Sequence, residues 1–343
     1  MKTPKEIFIY FATIIKRFIP LWHLYGFSVA YGSIIFPFCH LFNHLKPHIA
    51  KYKHHAILLY LRRHYNYLLD RFIDNIEGIE STIGPDSVIW VCWWDGEEYM
   101  PPLVKACYNS IKKYAGVHPV KLITKHNFND YVSIPEFIIE KLNSGIITLT
   151  HFSNILRVNL LYNHGGTWMD ATILTLKNIS IEHLSFYSLK APAKSASVTL
   201  NLFEGISNIA KPYHVKQGPP VSRWSGFLLA GTKYSPIFAY LKDILNAYWK
   251  DHDDQIDYLL FDYTIALGYD NIPIMKKLID KLPCSDVEKF ELEKNLNNNF
   301  SYEQFNNYAK TTFHKLTWKK NFNEYTKDNK LTIYGHIINS FYE

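Results

Sequence analysis

The stretch His151-Phe-Ser-Asn-Ile-Leu-Arg157, running on through Leu160-Leu161-Tyr-Asn-His-Gly165-Gly166-Thr-Trp-Met-Asp170-Ala-Thr172, decides the fold. Apolar residues at Phe152, Ile155, Leu156, Leu160 and Leu161 recur at helical spacing, while Ser153 and Arg157 lie four apart on a face free to stay polar. Gly165-Gly166 ends that helix and opens a tight entry to the next strand, because glycine tolerates positive φ and lets backbone approach closely. The strand then delivers Asp170 to its end, so Arg157, Asp170 and Thr172 are expected near one cleft. Taken alone, the segment also fits a plain helix–strand junction with an incidental surface Asp.

The flanking sequence widens the reading. Pro85-Asp86 precedes Val88 to Trp93, a continuous apolar run of the kind found in buried parallel strands. A helix is predicted from about Pro101 to Tyr114, a strand at Val120 to Thr124, a helix at Pro135 to Asn143 and a strand at Ile146 to Leu149. Such alternation predicts an α/β, Rossmann-like nucleotide-binding domain with ligands at the carboxyl ends of the strands. No Walker-type glycine loop and no internal repeat is present. From Lys177 to about Lys216 the pattern turns irregular, as in a lid or acceptor-binding loop. Ile237 to Lys250 and Tyr258 to Leu267 again read as helices, and the tail from Asn321 alternates weakly.

The motif Ser153-x-x-x-Arg157, Leu160-Leu161, Gly165-Gly166-x-Trp168-x-Asp170-Ala171-Thr172 resembles the capsular polysaccharide synthesis glycosyltransferases, relatives of the family-32 glycosyltransferases. Ile89 to Gly96, Met100-Pro101-Pro102, Cys107-x-x-Ser110, Trp224-Ser-Gly226-Phe227, Tyr248-Trp249, Asp257-Tyr258 and Phe313-His314-Lys315-Leu-Thr-Trp318-Lys319 carry the same resemblance in the same order. It implies a GT-A-type fold and a retaining sugar transfer by front-face displacement. It also implies a nucleotide-sugar donor, a UDP-sugar foremost, and a glycan or lipid-linked glycan acceptor of capsular or lipopolysaccharide type. Two departures stand out: relatives outside the capsular branch complete an Asp-x-Asp where this chain has Asp170-Ala171-Thr172, which is normal for the capsular branch, and the family usually carries Ser-Asp where this chain has Ser153-Asn154, which is not. A neutral amide replaces an acceptor-only group there. It signals an altered donor preference, an impaired enzyme or a substitution made to trap a complex. A catalytically silent sugar-nucleotide-binding or scaffold subunit of a polysaccharide assembly complex is the alternative function. A glycoside hydrolase would need paired carboxylates across a sugar site, and the motif offers one firm acid.

Sugar transfer must disperse the charge that builds on the departing diphosphate, through divalent cations with oxygen ligands and through fixed positive groups. The resemblance implies Mn²⁺ or Mg²⁺, with Asp170 and Thr172 as ligands and His314 completing the set. Lys315 pairs with the diphosphate in this reading, and Arg157 holds the donor by bidentate hydrogen bonds. Trp93 and Trp94 end the first strand, where the resemblance implies a base-binding surface, and one of them is expected to stack on a uracil or another base. Asn154 handles the donor sugar, and Trp224 lines the sugar or acceptor site or belongs to the core. Asp257 and Asp262 are both able to orient an acceptor hydroxyl, Asp262 being preferred. Together Asp170, Arg157 and Asp262 form the expected catalytic set.

Composition adds a second feature. The 343 residues are 48% hydrophobic, enough for a sizeable core, and four scattered cysteines (Cys39, Cys92, Cys107, Cys284) fit a reducing compartment better than a disulfide framework or metal site. Of the net charge of +6, residues 1–63 carry +8, with nine Lys or Arg against Glu6 alone, leaving −2 elsewhere. Phe18 to Leu45 is an uncharged, aromatic-rich run interrupted by Pro20, Gly26, Gly32 and Pro37. Three readings follow: an anchor lying in an anionic membrane interface, a helical cap packed on the catalytic part or on a dimer partner, or a true span. The bases alternate with apolar stretches, which argues against nucleic-acid binding. The expected organisation is a helical membrane-associating segment over 1–80, followed by the transferase domain over 81–343, with the protein peripheral at the cytoplasmic face of the cell membrane. His54 to Asn75 is predicted as the connecting helix, with Ile57, Leu58, Leu61, Tyr65, Leu68, Leu69 and Phe72 on one stripe.

Overall fold

The sheet is built around β1 (Ile89–Cys92), whose parallel neighbours are β2 (Val120–Ile123) and β3 (Gly166–Asp170). β4 (Ile173–Thr175), β5 (Phe186–Ser188), β6 (Ala191–Pro192), β7 (Val221–Ser222), β8 (Leu228–Gly231) and β9 (Phe313–Lys315) follow in the chain. The main sheet runs β2-β1-β3-β8-β5, with β8 antiparallel to both of its neighbours; β4 pairs with β9, and β6 with β7, in separate two-stranded ribbons. The computed structural model describes residues 12–41, 46–73, 81–192, 221–286 and 288–341.

The mixed α/β architecture, with a parallel β2-β1-β3 core to its sheet, agrees with the Rossmann-like expectation. Helix α4 (Pro102–Tyr114) follows β1, and α5 (Glu136–Asn143) and α6 (Leu149–His164) lead into β3. The chain leaves β1 for β2 on one side and then returns to β3 on the other. The carboxyl ends of β1 and β3 therefore flank a topological switch point, where open α/β sheets bind ligands. Ile146 to Leu149 is not a strand. It is a short link after Gly145 (φ +78°), and Thr148 caps α6 by accepting the His151 amide, so the local hydrogen bonds are spent on starting a helix.

The glycine doublet behaves as its sequence implies. Gly165 and Gly166 have φ of +69° and +91°, and a Cβ on Gly166 would collide with the Val88 carbonyl oxygen. That close approach lets β3 enter the sheet beside β1 directly from α6. Irregular as it reads, Lys177 to Ser188 includes β5; residues 193–220 lie outside the described residues. The weakly alternating tail contains the helix Ile333–Ser340, started by the Thr332 side chain accepting the Gly335 amide.

At the amino terminus, Gly26 (φ +86°) breaks the apolar run into α1 (Phe18–Tyr25) and α2 (Phe27–Ile35), and α3 spans Lys46–Ile73. Of the α3 stripe, Ile57, Leu61, Tyr65, Leu68, Leu69 and Phe72 are buried, with Leu58 partly buried against them, together with Leu21, Tyr25, Val29 and Ala30, in the same core as α7 (Pro236–Asp251) and α8 (Leu260–Asn271). The Tyr25 and Tyr248 hydroxyls lie 2.9 Å apart, His54 Nδ1 is 2.6 Å from the Tyr263 hydroxyl, and Lys53 pairs with Asp257 at 2.6 Å. The helical-cap reading is thus realised on the chain's own catalytic part. No described helix is long and apolar enough to cross a membrane. The domain boundary expected at residue 80 falls in 74–80, outside the described residues.

Candidate active site

Asp170 ends β3 opposite Cys92 at the end of β1, so it stands at the switch point. Its amide donates to the Phe227 carbonyl at 2.9 Å, tying the strand end to the turn before β8. One carboxylate oxygen, Oδ1, accepts the Trp168 indole N–H at 2.9 Å and Arg157 Nη2 at 3.4 Å. The other, Oδ2, accepts Lys315 Nζ at 2.8 Å. Burial works against the carboxylate, yet the Lys315 and Arg157 charges and the bonds from Lys315 and Trp168 hold its pKa below the ordinary value. Asp170 is therefore an anion throughout the physiological range.

Arg157 is spent largely inside the protein. Its Nε donates to the Ser153 carbonyl, Nη1 to the Gly226 carbonyl, and Nη2 to Ser153 Oγ as well as Asp170. The guanidinium lies 5.0 Å from the Trp168 ring centroid and 5.3 Å from that of Phe261. Few of its five N–H groups remain for a ligand, so bidentate donor binding gives way to a positioning role: Arg157 locks the carboxylate, α6 and the 226 turn together.

Strand alternation decides the late pair. In β9, Lys315 faces Asp170 and Thr172, with Nζ 2.7 Å from Thr172 Oγ1 and 5.2 Å from the Phe227 ring centroid. His314 points the opposite way, fully buried, donating from Nε2 to the Tyr308 carbonyl at 3.0 Å. Burial lowers its pKa to about 4, so it is a neutral core side chain. The expectation that His314 completes the metal set is corrected on this point, because period two puts strand neighbours on opposite faces. Among the described residues no group of three or more His, Cys, Asp or Glu could hold a metal ion. Asp170 and Thr172 alone, both already engaged by an ammonium, do not fit a resident six-coordinate Mn²⁺ or Mg²⁺.

The remaining expected residues divide. Asp262, in the first turn of α8, is buried and accepts the Trp224 indole N–H at 3.1 Å. Burial raises its pKa to about 6, against the pull of the Trp224 bond and of Arg157. Trp224 is itself buried, so it supports Asp262 instead of lining an open sugar site. Asp257, the other acceptor candidate, is committed to Lys53. Asn154 is buried on α6 one turn before Arg157. Trp94 packs on Phe128 and Phe152, while half-buried Trp93 makes an edge-to-face pair with the more exposed Trp318, centroids 5.7 Å apart. Trp93 is thus the better placed to meet a base. A cleft of about 460 Å³ lined by Pro101, Leu103, Trp318, Phe322 and Tyr334 borders this pair without including Asp170.

Sequence reading has Trp168, Trp318 and Tyr258 in its motifs but gives none of them a role at the site. The strand period was the available signal for Trp168, two residues before Asp170 on the same face. Tyr258, 57% exposed, meets His151 of α6 edge to face, ring centroids 6.1 Å apart.

No curated protein sequence matches the chain. Among solved structures, the PaToxG glycosyltransferase aligns over 69% of this chain and 83% of that one, at 15% identity and a TM-score of 0.36. The pattern that defines the family described as capsular polysaccharide synthesis protein matches residues 40–337. The chain belongs to the capsular polysaccharide synthesis protein family.

Proposed function

We propose that the cleft between the carboxyl ends of β1 and β3 binds a sugar nucleotide, and that the protein is a retaining GT-A-type glycosyltransferase building a capsular or related surface polysaccharide. Family membership supports glycosyl transfer in general. The observation that carries the reading to this site is Asp170: a carboxylate at the switch point, flanked by Lys315 and Arg157 and held by Trp168. We take the donor to be a UDP-sugar, as the resemblance implies, with its base against Trp93 and Trp318 and its diphosphate beside Lys315 and Thr172. The acceptor is a glycan or a lipid-linked glycan.

In transfer, the bond from the anomeric carbon to the diphosphate oxygen breaks and its electron pair goes to that oxygen, whose charge Lys315 meets. The acceptor hydroxyl attacks the same face, and its proton passes to the departing phosphate. Asp262, ionised above about pH 6, orients that hydroxyl. Asp170 fixes the Lys315 ammonium, and Arg157 fixes Asp170.

The exposed side of α1 and α2 supports a peripheral position at the cytoplasmic membrane face. Ile19, Trp22, Phe27 and Tyr31 are 43–62% exposed there, beside the bases Lys16 and Arg17. A thermal-shift screen of sugar nucleotides, with and without Mn²⁺, tests the function, since a ligand of the native state raises its stability. Binding of one donor with turnover in the presence of a glycan acceptor supports transfer. Binding without any turnover would favour the silent subunit.

A further inference from the structure

Asp170 Oδ2 and Thr172 Oγ1 converge on a single point, 2.8 and 2.7 Å away, and the Lys315 ammonium occupies it. We propose that Lys315 is a tethered cation standing where a divalent ion would sit between these two oxygens, so that the site neutralises the donor diphosphate without a dissociable metal. The inference rests on the sugar-nucleotide reading of the cleft.

The donor set argues for this first. A hard divalent ion takes about six oxygens at roughly 2.0–2.1 Å for Mg²⁺, and the described chain brings two. Asp170 Oδ1 is held by Trp168 and Arg157, and His314 faces away. The lysine, in contrast, is positioned from several sides. β9 pairs with β4 in the register Ile173 with Lys315, the Leu316 amide donates to the Thr172 carbonyl at 3.0 Å, and the Phe227 ring packs against the ammonium. An ammonium has three N–H donors. Two are spent on Asp170 and Thr172, and the third has no hydrogen-bond partner among the described residues, although the side chain is 21% exposed and open to a ligand. Charge points the same way. The Lys315 ammonium, paired to Asp170 and touching Thr172, is itself the cation at this point and opposes a dication entering beside it.

During transfer the electron pair of the broken bond settles on the phosphate oxygen, and Lys315 meets it as a point charge while keeping its own proton. Asp170 and Thr172 act by aiming that charge.

The test is calorimetric titration of the full chain with UDP, GDP, CDP and ADP, in EDTA and again with Mn²⁺, for the wild type and for Lys315→Met. The expected result is one nucleoside diphosphate bound with a Kd that differs less than about threefold between EDTA and Mn²⁺, and metal-free affinity at least about tenfold weaker in Lys315→Met. Wild-type binding that appears only with Mn²⁺ would overturn the inference and leave the function reading standing. Metal-free binding unchanged in Lys315→Met would overturn it equally. Absence of binding under both conditions would overturn the inference and the function reading together. The wild-type comparison keeps its force even if the methionine variant fails to fold.

Discussion

Asp262→Asn separates the cost of a buried carboxylate from its use. Burial raises the Asp262 pKa from an ordinary 3.8 to about 6. A carboxyl whose folded pKa lies above its unfolded value stabilises the fold fully below about pH 4, and that contribution is lost as pH rises through about 6. Roughly two pKa units correspond to about 3 kcal/mol in all, and linkage places about half of it between pH 5 and pH 8. The asparagine keeps an oxygen for the Trp224 indole N–H and cannot ionise. Its stability relative to wild type should therefore improve by about 1.4 kcal/mol between pH 5 and pH 8, a few degrees in melting temperature. Over the same range wild-type sugar transfer should rise with unit slope through about pH 6, while the variant stays low and flat. Melting curves at both pH values, paired with rate profiles, check this. A melting difference that is constant, or that moves against the variant at pH 8, would mean Arg157 fully compensates the ionised carboxylate and the reasoning fails.

Three further outcomes are expected. Gly166→Ala puts a Cβ into the Val88 carbonyl at φ +91° and should cost about 3 kcal/mol or more, seen as lost soluble yield; a normal melting curve would contradict the close approach. Arg157→Lys keeps the charge but cannot span Ser153, Gly226 and Asp170 at once, so turnover should drop by about tenfold or more with the protein still folded; unchanged kinetics would remove its positioning role. Trp22→Asp with Phe27→Asp should abolish flotation with anionic liposomes without moving the melting temperature, because both rings are half exposed. Equal flotation of variant and parent would dismiss the membrane-facing role of α1 and α2.

What the sequence disclosed was local. The run Val88 to Trp93, the helices ending at Tyr114 and Asn143, and the passage from α6 through Gly165-Gly166 to Asp170 are short-range patterns of periodicity and glycine φ, and the structure follows them. Ile146 to Leu149 failed because three apolar residues around a threonine carry no decisive period, and the Thr148 cap outweighed them. The site was legible as a set of residue types but not as a geometry. Lys315 reaches Asp170 across 145 positions through the β4–β9 ribbon, which no local pattern announces. That ribbon also turns His314 into the core, so two adjacent residues taken from one motif acquire unrelated roles. Arg157 reads as a ligand-binding fork until the Gly226 carbonyl, 69 residues on, is seen to claim it.

The central claim is that Asp170 organises a cationic cleft for sugar transfer. Its most direct test is release of nucleoside diphosphate from a panel of sugar nucleotides, with a glycan acceptor, by wild type and by Asp170→Asn. The variant leaves Arg157 and Lys315 without their anion, so its remaining folded fraction must be measured and the rate given per folded molecule. The account predicts turnover of one donor by the wild type and a rate about 10² lower for the folded variant, several kcal/mol in the transition state. Equal rates per folded molecule in the two proteins would contradict it.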